Sequence, residues 1–204
     1  MRPLSSSLKR KLESDTLESE KQLDQALPYL LARGIDHDTA RKFRLGVVSD
    51  SSSRYDGRLS IPSLGMDDAP YNLRFRALHG EEPKYLGLPG VETRLFNVRA
   101  IQQAGDEIHI TEGELDAVVL SSLGFDAVGV CGANSWKRHH GRMFAGFTRV
   151  FVWGDGDDAG QRFVGKVADS LLSVQRCKMG SGQDVTDLFL AEGEAGIRKA
   201  MSNE

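Results

Sequence analysis

The chain has 204 residues, 40% of them hydrophobic, and a formal charge of -3, which allows one domain of ordinary size or two small ones with a real core. Its only cysteines, Cys131 and Cys177, lie far apart, which excludes a zinc ribbon and argues against a disulfide framework. No stretch approaches the ~18 apolar residues of a membrane span, and the N-terminus lacks an apolar export core, so a soluble protein of a reducing cytoplasm is expected, without zinc and without a membrane partner.

Residues 1–26 read as a helical or partly disordered leader: leucines at 4, 8, 12, 17 and 23 make a loose helical stripe, and Asp15-Thr16-Leu17-Glu18 has the form of a capping box. Leu27 to Leu31 and Asp36 to Phe43 read as two short helices around the turn Arg33-Gly34, with Asp36 or Asp38 capping the second. Between Arg58 and Leu78 the pattern becomes alternating, with Leu59 and Ile61, then Tyr71, Leu73, Phe75 and Ala77, as in half-buried strands. Gly65 to Pro70 is their turn. Residues 80–100 are rich in glycine and proline and read as loop, so residues 27–104 form a small mixed subdomain.

Residues 105–204 show a regular rhythm: strand 108–111, helix 114–123, strand 126–130, helix about 136–145, strand 149–153, helix 158–172, strand 174–178 and helix 186–191. Short connections between alternating strands and helices imply a mainly parallel sheet flanked by helices, hence an α/β domain. In such sheets ligands sit beyond the carboxyl ends of the strands. Glu112, Cys131 to Ser135 and Asp155 to Asp158 all fall there.

Two acidic segments, Thr111-Glu112-Gly113-Glu114-Leu115-Asp116 and Asp155-Gly156-Asp157-Asp158, thus follow two strands. Mg²⁺ takes one or two carboxylates and leaves its other positions to water and phosphates. Glu112, Asp155 and Asp157 meet that need, and a second metal would draw on Asp184 and Asp187. The plainer role of Asp158 is to cap the following helix, and that of Glu114 and Asp116 to decorate the first turn of theirs. Adjacent His139 and His140 point in different directions on a helix and make a poor metal pair; Trp136 and Cys131 read as packing residues. Charge is uneven as well: residues 33–99 carry 11 Lys/Arg against 9 Asp/Glu, and residues 100–204 carry 10 against 15, as where metal ions and a polyanion meet.

A Glu at one strand end followed by Asp-x-Asp at a later one resembles the TOPRIM domain of primases, topoisomerases, OLD-type nucleases and recombination proteins. The resemblance covers about residues 105–192. Upstream, Tyr29-Leu30-Leu31-Ala32-Arg33-Gly34-Ile35, Phe43-Arg44-Leu45-Gly46, Gly57-Arg58-Leu59-Ser60-Ile61-Pro62, Asn72-Leu73-Arg74-Phe75-Arg76, Pro83-Lys84-Tyr85-Leu86 and Leu95-Phe96-Asn97 resemble, in order, the RNA polymerase core of bacterial and phage DnaG-type primases.

That resemblance implies a DNA primase catalytic subunit, phage-like and minimal, that makes short RNA primers from ribonucleoside triphosphates on single-stranded DNA. Glu112, Asp155 and Asp157 would carry catalysis; these three with Asp184 and Asp187 would bind Mg²⁺ or Mn²⁺. Arg33, Arg58, Arg74, Arg76, Lys84 and Arg99 would hold nucleotide or template, and Tyr85 would stack on a base or sugar; singly, each is equally a solvated cation or a packing ring. The sequence departs from the family at Val98, where a lysine is common and Arg99 is the substitute. It departs again at Asp184-Val185-Thr186-Asp187, where the family has two aspartates one residue apart. Lacking a zinc-binding domain, such a core implies a separate zinc-binding protein or a replicative helicase as partner, in the host cytoplasm. The alternatives are a TOPRIM metal-dependent nuclease and a non-catalytic nucleic-acid-binding replication module.

Overall fold

The computed structural model describes residues 4–202 and divides into two compact units, Met1–Thr93 and Arg94–Glu204. In the first unit helix α1 spans Ser6–Glu20 without interruption, capped by the Ser5 hydroxyl, which accepts from the Leu8 N–H at 3.2 Å. The expected capping box at Asp15 therefore starts no helix; Asp15 instead pairs with Lys11 at 2.8 Å, one turn back. Fully buried Leu12 packs with Leu73 and Phe75 in the core, so this segment is part of the first unit. Gly46 explains how closely α1 approaches: a Cβ there would lie 2.1 Å from the Ser19 carbonyl oxygen. Beside it, Arg44 reaches Glu13 at 2.8 Å and Glu20 at 3.0 Å, clasping α1 from a left-handed backbone position.

Two short helices follow, α2 at Leu27–Leu31 and α3 at His37–Lys42, the latter capped by Asp36, whose carboxylate accepts from the Thr39 N–H at 2.7 Å. The remaining first unit is an antiparallel sheet of β1 (Gly46–Val47), β2 (Leu59–Leu64), β3 (Pro70–Arg76) and β4 (Tyr85–Gly87), in that order. The two central strands were expected. The edge strands were not, because β1 is two residues long and β4 sits among prolines and glycines that read as loop.

The second unit holds α4 (Ala100–Gln103), β5 (Glu107–Thr111), α5 (Glu114–Ser122), β6 (Ala127–Gly129), α6 (Gly141–Phe144), β7 (Arg149–Trp153), α7 (Asp158–Ala168), β8 (Val174–Arg176) and α8 (Val185–Met201). Residues 94–104 belong here: the Phe96 N–H donates to Gly129 at 2.8 Å and the Asn97 amide to Ala127 at 2.8 Å. All strands are parallel, in the order β6-β5-β7-β8. Ile108, Ile110, Val150 and Val152 face one side and pack with Phe163 and Val167 of α7. His109, Phe151 and Trp153 face the other, where Phe125 lies against His109. Apolar side chains on both faces explain why these strands read as near-continuous hydrophobic runs.

Three elements differ from expectation. The helix expected at 136–145 is a 3₁₀ turn, Arg138–His140, followed by the single turn of α6, because Trp136 turns inward and donates its indole N–H to Ser170 Oγ at 3.1 Å. The α7 cap is Asp157 and not Asp158: its extended backbone lets its carboxylate accept from the Gly160 N–H at 2.8 Å. Finally, the last helix runs to Met201, broken at Gly193, which is non-helical with φ 64°.

Candidate active site

The order β6-β5-β7-β8 reverses direction at β5, so the crevice between the carboxyl ends of β5 and β7 is the topological switch point. Glu112 leaves β5 there and Asp155 leaves β7. The β6 loop closes over them: the Gly132 N–H donates to the Glu112 carbonyl at 2.8 Å.

Asp184 comes from farther along the chain and is brought in by backbone. The Gly156 N–H donates to Gln183 at 2.8 Å, and the Gly182 N–H returns to the Gly156 carbonyl at 2.8 Å. The two loops press so closely that a Cβ on Gly156 would lie 1.7 Å from the Gly180 carbonyl oxygen. Asp184 then caps α8, accepting from the Asp187 N–H at 2.8 Å, while the Asp187 carboxylate accepts from the Asp184 N–H at 3.3 Å.

Electrostatics shows which carboxylates feel one another. Burial, with Asp157 and Asp116 as charged neighbours, raises the Glu112 pKa; the backbone N–H groups of Ala133 and Asp155 oppose the rise. Its Oε2 atom is buried without a hydrogen-bond partner. Asp116 is pushed up to about 7 by burial and by the charges of Asp184 and Asp155, although its Oδ1 accepts from both the Thr186 N–H at 3.3 Å and the Thr186 hydroxyl at 3.0 Å. Carboxylates crowded into mutual repulsion, one with an orphaned oxygen, are a donor set suited to a divalent cation. Among the described residues no group of three or more His, Cys, Asp or Glu side chains is gathered tightly enough to cage a metal alone; Mg²⁺ that retains water and phosphate ligands needs no such cage.

The crowding gives a pH prediction. A carboxyl held near 7 in the fold but at its ordinary 3.8 when unfolded makes the folded chain bind the extra proton between those values. Its stabilising effect is complete below the lower value and lost as pH rises through the upper one. Thermal melts of the metal-free protein are therefore expected to show a falling Tm between about pH 4 and about pH 7, and Mg²⁺ to offset the fall. A flat profile would mean that Asp116 ionises freely.

Asp116 was missed as a candidate because its position in the first turn of α5 is explained equally well by the helix dipole. The available signal was its spacing: four residues after Glu112, it returns to the same side of the chain as the helix begins. Thr186 was missed for a different reason. It stands where the resembling family has the second aspartate, and here it supplies two hydrogen bonds to Asp116 in place of another charge. Asp187 is exposed and occupied by the capping box that it shares with Asp184, and it is not among the charges that raise Glu112 or Asp116.

The cationic candidates separate into the two units. In the first, the guanidinium of Arg33 lies 3.9 Å from the Tyr29 ring centroid, Arg76 lies 5.5 Å from Tyr29 and 5.1 Å from Tyr85, and Arg74 lies 4.6 Å from Tyr85. Arg76 also donates to the Tyr85 hydroxyl. Strand register produces this platform: Arg76 pairs directly with Tyr85, and Arg74 sits two residues away on the same face. Tyr29, one helical turn before Arg33, was another omission.

Lys84 is exposed beside the platform. Arg58, expected to bind a ligand, is instead buried and donates to the Pro83 carbonyl at 2.8 Å, so it holds the Pro83-Lys84-Tyr85 segment in place. Arg99 belongs to the second unit, where its Nε donates to Asn97 Oδ1 at 3.1 Å. His109 and His140 are both buried and held near 4, His109 by desolvation alone and His140 by desolvation with nearby cations. Both are therefore neutral packing groups.

Comparison with known proteins agrees with this architecture. The family described as Toprim-like matches residues 109–189. Gene 57 protein of Mycobacterium phage D29 is 35% identical over 146 residues, which cover 69% of this chain and 95% of that protein. DNA primase of Pseudomonas aeruginosa is 27% identical over 220 residues, covering 87% of this chain but 32% of the primase, so the chain spans about a third of that relative's length. Among solved structures, a DnaG primase catalytic domain bound to ssDNA superposes with a TM-score of 0.79 at 20% identity, covering 96% of this chain and 80% of that one. The switch-point carboxylates, the antiparallel unit before them and these likenesses converge on one statement: the chain belongs to the TOPRIM-domain, DnaG-type primase family, as a phage-like catalytic core.

Proposed function

We propose that the chain is a nucleotidyltransferase that joins ribonucleoside triphosphates into short RNA primers on single-stranded DNA. The observation that carries this reading is the mutual repulsion of Glu112, Asp116, Asp155, Asp157 and Asp184 at the switch point, within a family whose solved member was captured with ssDNA.

Asp155, Asp157 and Asp184 would hold Mg²⁺ or Mn²⁺, with Asp116 beside them. A divalent cation there supplies charge neutralisation for the triphosphate and for the in-line displacement. Glu112, partly buried and with its pKa raised, is poised to accept the proton of the attacking 3′ hydroxyl as pyrophosphate leaves. In the first unit the Arg33, Arg74 and Arg76 guanidiniums, with exposed Lys84, offer phosphate-binding charge, and the Tyr85 and Tyr29 rings offer stacking surface. Arg99 would contribute from the second unit. The proposed setting is the host cytoplasm, beside a replicative helicase or a separate zinc-binding protein; among the described residues no helix is long and apolar enough to cross a membrane.

A single reaction separates synthesis from hydrolysis: radiolabelled ribonucleoside triphosphates, a fluorescently end-labelled single-stranded template and Mg²⁺ or Mn²⁺, with products treated by ribonuclease or alkali. Alkali-sensitive oligomers on an intact template are expected. A shortened template without incorporation would instead assign the site to a metal-dependent nuclease.

A further inference from the structure

The longest carboxylate-free stretch of the acidic unit lies between β5 and the acidic turn after β7. Between Asp126 and Asp155 there is no Asp or Glu, while Lys137, Arg138, Arg142 and Arg149 are all present. Arg149 pairs with Glu107. Lys137, Arg138 and Arg142 are exposed, and among the described residues none of them forms an ion pair. Arg138 and Arg142 are four residues apart on consecutive helical turns and thus share a side.

This segment is fastened along α7. Lys166 donates to Asn134 Oδ1 at 2.9 Å, Trp136 donates to Ser170, and the Gly141 backbone presses against Ser170, so that a Cβ on Gly141 would meet its carbonyl oxygen at 2.6 Å. Lys166 shares its helix face with exposed Arg162, one turn earlier. Asp157 and Asp158 at the start of the helix and Asp169 at its end are the exposed acids of this region, and among the described residues none is ion-paired with Arg162 or Lys166. The result is a band of Arg162, Lys166, Lys137, Arg138 and Arg142. One end adjoins the active site directly: Ala133, whose N–H is directed at the Glu112 carboxyl, is next to Asn134.

We infer that this band binds the phosphodiester backbone of a single nucleic-acid strand leading away from the acidic site. The inference rests on the reading of that site as one that handles nucleic acid. A row of guanidiniums and ammoniums held in no ion pair among the described residues fits the phosphates of a strand, and exposed His139 adds a ring beside them. It places a second binding surface on the TOPRIM unit, separate from the Arg33, Arg74 and Arg76 platform.

The test uses the full chain in EDTA, so that binding is read without catalysis. Fluorescence anisotropy with labelled oligothymidylate and oligouridylate of about 20 nucleotides would compare the wild type with K137A/R138A/R142A, whose targets are exposed. Affinity is expected to fall about tenfold or more, and the slope of log affinity against log salt to become shallower by about 2, as about 0.7 per lost phosphate contact predicts. Preference for the DNA oligomer would identify the strand as template, and for the RNA oligomer as product; either supports the inference. An unchanged tryptophan-fluorescence melt would confirm folding, and R142E alone repeats the test with one substitution. Wild-type affinity and slope in both variants would overturn it, as would equal competition by polyglutamate, which would make the band a generic anion surface. Failure of primer synthesis with the binding difference intact would count against the proposed reaction and not against the band.

Discussion

Asp155→Asn is expected to abolish Mn²⁺ binding and nucleotide incorporation together, and to make the metal-free protein more stable. The two effects have one cause. Asp155 is among the charges that push Asp116 up to about 7, so neutralising it relieves that repulsion. Removing a metal-binding carboxylate commonly costs several orders of magnitude in rate, here expected as about a thousandfold or more. Mn²⁺ titration followed by electron paramagnetic resonance, beside thermal melts in EDTA, reads both effects. A variant that loses activity, keeps Mn²⁺ affinity and melts lower would show that Asp155 serves the fold and not the metal.

Gly156→Ala carries the second large effect because it tests how the site is assembled without touching a carboxylate. The added methyl would lie 1.7 Å from the Gly180 carbonyl oxygen and 2.9 Å from the Gly182 nitrogen, both backbone atoms that cannot rotate aside. Either the Gly180 to Gln183 loop moves, carrying Asp184 with it, or the Asp155-Gly156-Asp157 turn does. Overpacking of this kind costs about 1–3 kcal/mol, and the loss of Asp184 from its place should weaken Mn²⁺ binding about tenfold or more. Gly165→Ala, within α7, is the control: a Cβ there meets nothing within 4 Å beyond the helix's own backbone. Equal behaviour of the two variants would contradict the role assigned to the loop contact.

Much of this was visible in the sequence, for identifiable reasons. Strands β5 and β7 are apolar on both faces and end in acidic turns, so their positions and the switch-point carboxylates Glu112 and Asp155 followed from pattern alone. The β3 alternation marked Leu73 and Phe75 as core residues, and both are buried. What stayed hidden depends on chain segments far apart. Asp116 looks like an ordinary first-turn acid until α8 brings Thr186 to it from 70 residues away. Arg58 looks like any exposed cation until its guanidinium is seen on Pro83. Asp157 and Asp158 are both plausible caps by residue type, and the choice is made by the extended backbone at Asp157, which composition does not reveal. The short strand β4 was concealed by the turn-forming residues around it, although its Tyr85 is what gives Arg76 a partner.

The parts of the first unit carry a related lesson about charge. Its guanidiniums read from sequence as phosphate binders, and the structure has three of them lying against phenol rings, at 3.9, 4.6 and 5.1 Å from the ring centroids. Holding flexible arginines in place before a ligand arrives is what preorganised phosphate binding requires.

The most direct measurement is formation of the first phosphodiester bond. The purified chain, incubated with single-stranded DNA, ribonucleoside triphosphates and Mg²⁺ or Mn²⁺, alone and with its candidate partners, would be analysed by mass spectrometry for a 5′-triphosphorylated dinucleotide and for pyrophosphate in equal amount. The account predicts both products, dependent on template and absent with Asp155→Asn. Intact triphosphates under every condition, from a protein that binds Mn²⁺ and single-stranded DNA, would contradict it.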